Sequence, residues 1–228
     1  MAIPRNRAHY KGPTDTPYEG DMNDIPVFEE DVAYLLDGVN HMFPDVNLKI
    51  EDVESSWAGL RPLIYEEGKS ASEMSRKDEI FESNSGLISI AGGKLTGYRK
   101  MAERIVDLVT EKFEHKFGKD LPENYTERIN LSGGPFRGEK EVKDYEAAIT
   151  ERIKICQLNL YFAKYLVSNY GRNTDLILEH MSEFNDPPEV ALARAEAWYT
   201  IHFELATSLL DFFNRRTGRL YFDLPGIE

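Results

Sequence analysis

The residues best placed to do chemistry are Gly92-Gly93-Lys94-Leu95-Thr96, lying between two segments of opposite periodicity. Residues 85–91 (Ser-Gly-Leu-Ile-Ser-Ile-Ala) are short, apolar and glycine-bounded, which predicts a buried strand. From Leu95 onward, Tyr98, Met101, Ala102, Ile105, Leu108, Val109 and Phe113 recur at helical spacing. Glycines between a strand and a helix let a backbone come close to a ligand. The first-turn N–H groups, the positive dipole end and the Lys94 ammonium all favour an anion there. The pattern is not a phosphate-binding Walker loop, because Gly93-Lys94 is followed by Leu95 rather than Ser or Thr. No G-x-G-x-x-G occurs anywhere in the chain. Two readings follow from the turn alone: an anion or polar-edge site, or a plain glycine turn with a solvated lysine.

Two arginines are candidates to join it. Arg61 lies in Ala58-Gly59-Leu60-Arg61-Pro62-Leu63, an apolar stretch where a charge is expensive unless paired or placed at a site. Arg76, in Met74-Ser75-Arg76-Lys77-Asp78, has a polar setting in which a surface arginine is the default. Two guanidiniums and an ammonium suit a phosphate monoester, arginine by bidentate contact and lysine by point charge. The five histidines (9, 41, 115, 180, 202) show no metal-ligand spacing, so no metal is expected. Neither His9 nor His41 is singled out as a catalytic base, and no catalytic residue is assigned. The one cysteine, Cys156, excludes an intrachain disulfide and a cysteine zinc site, and reads as a small buried apolar residue.

The elements that must position these groups divide in character near residues 115–140. Before that shift the chain mixes strand and helix: a helix over 30–43 closed by Pro44, a bent or edge strand over 55–65, then the strand–turn–helix above. After it the chain reads as helical, with helices at about 139–155, 157–170, 173–183 and 187–214. In the last, Asp186 is the expected cap, Pro187 suits the first turn, and Trp198, His202, Leu205, Leu209 and Phe213 form the expected core stripe. Gly218 ends that pattern. The fold class is therefore α+β, with a first domain over 1–118 and a mainly α-helical domain over 119–228. With 27 Lys and Arg against 40 Asp and Glu, the net charge of −13 excludes a general nucleic-acid binder. No secretory leader and no apolar run of membrane-spanning length are visible, so a cytoplasmic protein is expected.

Several stretches together resemble the FAD-dependent glycerol-3-phosphate dehydrogenases and, within them, the bacterial α-glycerophosphate oxidases. They are Ala2-Ile3-Pro4-Arg5 with Gly12-Pro13-Thr14-Asp15-Thr16, Ser56 through Leu63, Ser75-Arg76, and Ala91-Gly92-Gly93-Lys94-Leu95-Thr96-Gly97-Tyr98-Arg99-Lys100-Met101-Ala102-Glu103. Residues 187–217 are similar to the family's C-terminal domain, and Pro13 departs from the threonine usual there. The resemblance implies oxidation of sn-glycerol 3-phosphate to dihydroxyacetone phosphate, with FAD accepting the hydride and oxygen or a quinone as final acceptor. It implies that Arg61, Arg76 and Lys94 bind the substrate, and that Gly92, Gly93, Lys94, Leu95 and Thr96 face the flavin. It also implies a mixed or antiparallel sheet belonging to a flavoprotein substrate domain. A nucleotide-binding half is expected ahead of Met1, and further helices after Gly218. The chain is then a fragment, without FAD or turnover of its own. A non-enzymatic helical interaction or oligomerisation module is the alternative; assembly into a homo-oligomer and membrane association are left open.

Overall fold

A computed structural model describes residues 2–5, 8–14, 16–61, 64, 67–68 and 78–227. The architecture is α+β. Among the described residues, two antiparallel hairpins, β1 (Ala2–Arg5) with β2 (Ala8–Lys11) and β3 (Asp78–Glu82) with β4 (Ile88–Gly92), accompany seven α-helices. These are α1 (Glu29–Met42), α2 (Tyr98–Phe117), α3 (Glu139–Ile155), α4 (Tyr161–Tyr170), α5 (Thr174–Met181), α6 (Pro188–Glu204) and α7 (Arg219–Phe222). Two compact units are present. One holds residues 1–14, 28–56 and 130–228, the other residues 15–27 and 57–129. Both are built from discontinuous segments, whereas the composition shift places a single break near residue 118.

The larger unit contains the core. In α3, Val142, Tyr145, Ile149 and Ile153 fall on one face at spacings of three and four, and Ile149 and Ile153 are fully buried. Leu166 of α4, Ile177 of α5 and Leu192 of α6 meet them there. Each such side chain contributes about 1.5–3 kcal/mol by leaving water. Acidic Glu139 and Glu141 open α3 while Arg152 and Lys154 close it, complementing the helix dipole. The sequence-predicted bounds of α3 hold. Cys156 caps that helix half-buried rather than sealed in the core.

Two expectations fail here. The helix predicted over 187–214 breaks: α6 stops at Glu204, and a π-helical turn over Asp211–Arg216 follows. Leu205 takes the left-handed conformation (φ 57°) and Ala206 N–H closes the end on the Thr200 carbonyl. Ser208 and Asp211 then start the next turn reciprocally: the Ser208 hydroxyl donates to the Asp211 carboxylate at 2.9 Å, and Asp211 N–H donates to Ser208 Oγ at 3.1 Å. The expected stripe joins the core only in part: Trp198 packs against it half-buried, Leu205 and Leu209 are exposed, and the buried face of α6 is Ala191, Leu192, Ala195, Glu196, Tyr199 and Thr200. The cap position belongs to Pro187, and Asp186 instead pairs with Arg194 at 2.5 Å. The second failure is residues 55–61, which form neither helix nor strand; residues 62, 63 and 65 lie outside the described residues.

In the smaller unit β4 runs into α2 through the glycine turn. Two ion pairs bind α2 to β3: Arg104 to Asp78, and Lys112 to Glu82 at 2.7 Å. Asp78 and Glu82 are four apart on a strand, hence on one face, and Arg104 and Lys112 are eight apart on a helix, hence also on one face. None of the described residues of this unit is fully buried.

Candidate functional site

The turn is built as the sequence predicts, with the strand at Ile88–Gly92 and a shift of the α-helix to Tyr98. Gly92 and Gly93 have φ of 80° and 78°, a region that side-chain-bearing residues avoid. At Gly93 a Cβ would also stand 2.8 Å from Met101 Sδ and 3.1 Å from Asp78 Cβ. This glycine is thus demanded by the packing of α2 on β3 as well as by its dihedral. A short 3₁₀ turn over Leu95–Gly97 leads into α2, closed by Gly97 N–H donating to the Lys94 carbonyl at 2.8 Å.

The side chains facing water here are Lys94, Leu95 and Thr96, with Leu95 88% exposed. The first turn of α2 has no acidic residue and no side-chain cap. Its N–H groups and the Lys94 ammonium are therefore not neutralised by an acid of that turn. The next two cations are used structurally. Arg99 donates to Thr126 Oγ1 at 3.1 Å and to the Ile129 carbonyl at 2.7 Å, and Lys100 pairs with Glu103 at 2.7 Å. Such an arrangement can hold an anion or the polar, electron-rich edge of a planar ring.

Arg61 is exposed in an irregular stretch, and Arg76 lies outside the described residues. No group of three or more His, Cys, Asp or Glu suited to a metal occurs among the described residues. No described helix is long and apolar enough to cross a membrane.

The larger unit contains a polar cluster that sequence reasoning missed. Glu196, fully buried on α6, accepts hydrogen bonds from Tyr165 Oη (2.8 Å) and Tyr170 Oη (2.9 Å) on one oxygen. Its other oxygen accepts from Arg219 Nη2 at 2.6 Å. Burial pushes the Glu196 carboxyl upward, against the pull of the Arg219 charge and the two hydroxyls. Burial and the facing carboxylate raise both tyrosines above their usual range. The available signal was the position of Glu196 in line with Leu192, Ala195 and Tyr199 on one helical face. Its charge disguised it as a surface residue.

Residues 124–226 match the family described as the C-terminal domain of alpha-glycerophosphate oxidase. The whole chain is 45% identical to the aerobic glycerol-3-phosphate dehydrogenase of Bacillus subtilis, covering 42% of that protein. It is 41% identical to the enzyme of the same name from Staphylococcus aureus strain USA300, again over the whole chain and 41% of the relative. The crystal structure of glycerol-3-phosphate dehydrogenase from Bacillus halodurans complexed with FAD superposes with a TM-score of 0.80 at 39% identity, over 98% of this chain and 43% of that one. The chain thus spans about two fifths of the length of these relatives. By sequence and fold together, the chain is similar throughout to the C-terminal part of glycerol-3-phosphate dehydrogenases, and over residues 124–226 to the C-terminal domain of alpha-glycerophosphate oxidase.

Proposed function

We propose that this chain supplies the substrate-phosphate cations and one flavin-facing turn of an enzyme that oxidises sn-glycerol 3-phosphate to dihydroxyacetone phosphate. The observation that carries the reading is the Gly92–Thr96 turn: two positive-φ glycines, an exposed lysine and an acid-free helix start, in a chain alike throughout to glycerol-3-phosphate dehydrogenases. Lys94, Arg61 and Arg76 are the cations assigned to the phosphate. The donor set of the turn fits FAD at its pyrimidine edge: backbone N–H groups, Lys94 and the Thr96 hydroxyl all donate, and the reduced ring gathers negative charge on that edge. Bound there, FAD would supply the hydride acceptor for oxidation at C2 of the substrate. The chain's own residues hold the phosphate, orient C2 and stabilise charge.

Turnover needs more than this chain. The smaller unit, which carries the glycine turn, buries none of its described residues, so its apolar side chains lack the cover that fixes a site to sub-ångström precision. The test is a pair of measurements. Purified alone, the chain is expected to show no flavin absorbance and no glycerol-3-phosphate-dependent bleaching of added FAD. In the longer enzyme that contains it, Lys94→Ala is expected to raise KM for glycerol 3-phosphate by roughly 10–100-fold, the loss of one charge-assisted phosphate contact. An unchanged KM in that variant would sink the assignment of Lys94.

A further inference from the structure

We propose that Arg99 is a positioning residue: it fastens the segment returning from α2 onto the first turn of that helix, and so sets how the Lys94–Gly97 turn meets an anion. The proposal rests on the reading of that turn as the phosphate- and flavin-facing one, and its first measurement is independent of that reading.

Every contact in the argument lies within the smaller compact unit. Helix α2 ends at Gly118, whose left-handed φ of 61° turns the chain back, with its N–H donating to the Glu114 carbonyl at 2.8 Å. Side chains of α2 then tie the returning segment at three levels. Leu121 N–H donates to Glu114 Oε1 at 2.9 Å, and Asn124 Nδ2 donates to Asp107 Oδ1 at 3.2 Å. At the far end the Arg99 guanidinium donates from Nε to Thr126 Oγ1 at 3.1 Å and from Nη2 to the Ile129 carbonyl at 2.7 Å. The helix partners descend through 114, 107 and 99 as the segment ascends, so the two run antiparallel. Those helix positions are seven and eight apart, close to two turns each, and share one side of α2. Met101, Arg104 and Lys112 occupy another side, toward Gly93 and β3.

Position 99 calls for this side chain. A cation in a first helical turn opposes the helix dipole, and α1 and α3 open with acids instead, Glu29, Glu30 and Asp31 in one and Glu139 and Glu141 in the other. The helix itself thus has no use for a cation at 99, and the tertiary contacts account for it. From Glu114 to Arg99 the helix rises about 22 Å, whereas the five steps from Leu121 to Thr126 reach at most about 18 Å, so long side chains must close the difference. Holding two acceptors at once also takes the fixed fork of a guanidinium, which a single ammonium does not offer. The turn ahead of Arg99 is lightly built. Gly97 N–H closes it on the Lys94 carbonyl at 2.8 Å, Tyr98 N–H bonds the Leu95 carbonyl, and α2 starts without a side-chain cap. Uncapped first turns fray. Within the first turn Lys100 pairs along the helix, to Glu103, whereas Arg99 ties outward. Releasing Arg99 widens the range of directions in which the N–H groups and Lys94 point, and binding weakens by lost preorganisation.

The experiment uses the longer enzyme that contains this chain, and begins with hydrogen exchange on wild type, Arg99→Lys, Thr126→Val and Thr126→Ser. Arg99→Lys keeps the charge and loses the fork; Thr126→Val removes one acceptor without touching α2. Both are expected to raise deuterium uptake over residues 95–101 severalfold while α3 and α4 stay protected. Thr126→Ser, which keeps the hydroxyl, is expected to match wild type. Unchanged uptake over 95–101 in either Arg99→Lys or Thr126→Val overturns the fastening. Kinetics follow. Arg99→Lys is expected to raise KM for glycerol 3-phosphate roughly fivefold with kcat held, the pattern of lost ground-state and transition-state binding together. A KM raised by Arg99→Gln but unmoved by Arg99→Lys means that the charge acts and not the fork, and overturns the positioning role. A KM unmoved by Lys94→Ala overturns the reading of the turn, and the exchange result still decides whether Arg99 holds it.

Discussion

Gly93 shows how one residue can be legible from sequence for an incomplete reason. A glycine pair between strand and helix suggests close approach of a ligand. In the structure the Gly93 Cβ position is instead filled by Met101 and Asp78, on the inner side of the turn. The outward-facing chemistry falls to Lys94 and Thr96, both exposed. Stability and ligand binding should therefore separate between neighbours. Gly93→Ala must bear a left-handed conformation costing about 1–2 kcal/mol and an overpacked contact of about 1–3 kcal/mol, partly relieved by movement of the flexible Met101 side chain. A loss of about 2 kcal/mol is expected in urea unfolding of the longer enzyme, where the β3–β4–α2 unit is covered. Lys94→Ala, at an exposed position, should stay within about 0.5 kcal/mol of wild type. Equal effects of the two variants would contradict this division.

At the scale of elements, α6 marks where period alone was insufficient. Two stripes of helical spacing run along residues 188–214, and the one with the larger hydrophobes is buried only in part, at Trp198 and Phe213. Small alanines and a buried glutamate make the true inner face look weak, because pattern reading weighs side chains by hydrophobicity and not by the space they must fit. The break after Glu204 did carry a sequence signal, Ser208-x-x-Asp211, the reciprocal cap of a new start. Around Glu196 the two tyrosines give α4 and α6 a specific alkaline weakness. Tyrosine in an unfolded chain ionises near pH 10, about the model-peptide value. In the folded chain Tyr165 and Tyr170 ionise well above that, held neutral by burial and the carboxylate they face. A folded pKa above the unfolded one means their contribution is complete below about pH 10 and drains away as pH rises past it. Urea unfolding between pH 8 and 11 should show this loss. Tyr170→Phe should start less stable at pH 8 by about 1.5–3 kcal/mol, for a hydrogen bond to a charged group, and fall less steeply above pH 10. Parallel pH profiles for the two proteins would refute the assignment.

Across the whole molecule the two compact units differ in the one quantity that decides independent stability. The larger has fully buried Ile149, Ile153, Leu166, Ile177 and Leu192 gathered from four helices. The smaller holds Val106, Val109, Phe113 and Phe117 on α2 at least a third exposed, and none of its described residues is sealed from water. Apolar burial is the dominant favourable term in folding, so these units cannot share one stability. The relatives, more than twice as long, contain a majority of sequence that this chain lacks. The prediction is that this additional sequence covers the apolar face of α2. Hydrogen exchange of the isolated chain should accordingly divide into two classes. Amides of α3, α4 and α6 are expected to open only with global unfolding of the larger unit. Those of β3, β4 and α2 should exchange orders of magnitude faster, because the smaller unit opens at little cost. In the longer enzyme the second class should gain protection until it approaches the first, with no change of sequence in either unit. Equal protection of α2 and α6 in the isolated chain would mean that the smaller unit is stable without that cover, and the proposal that turnover needs more than this chain would then fall.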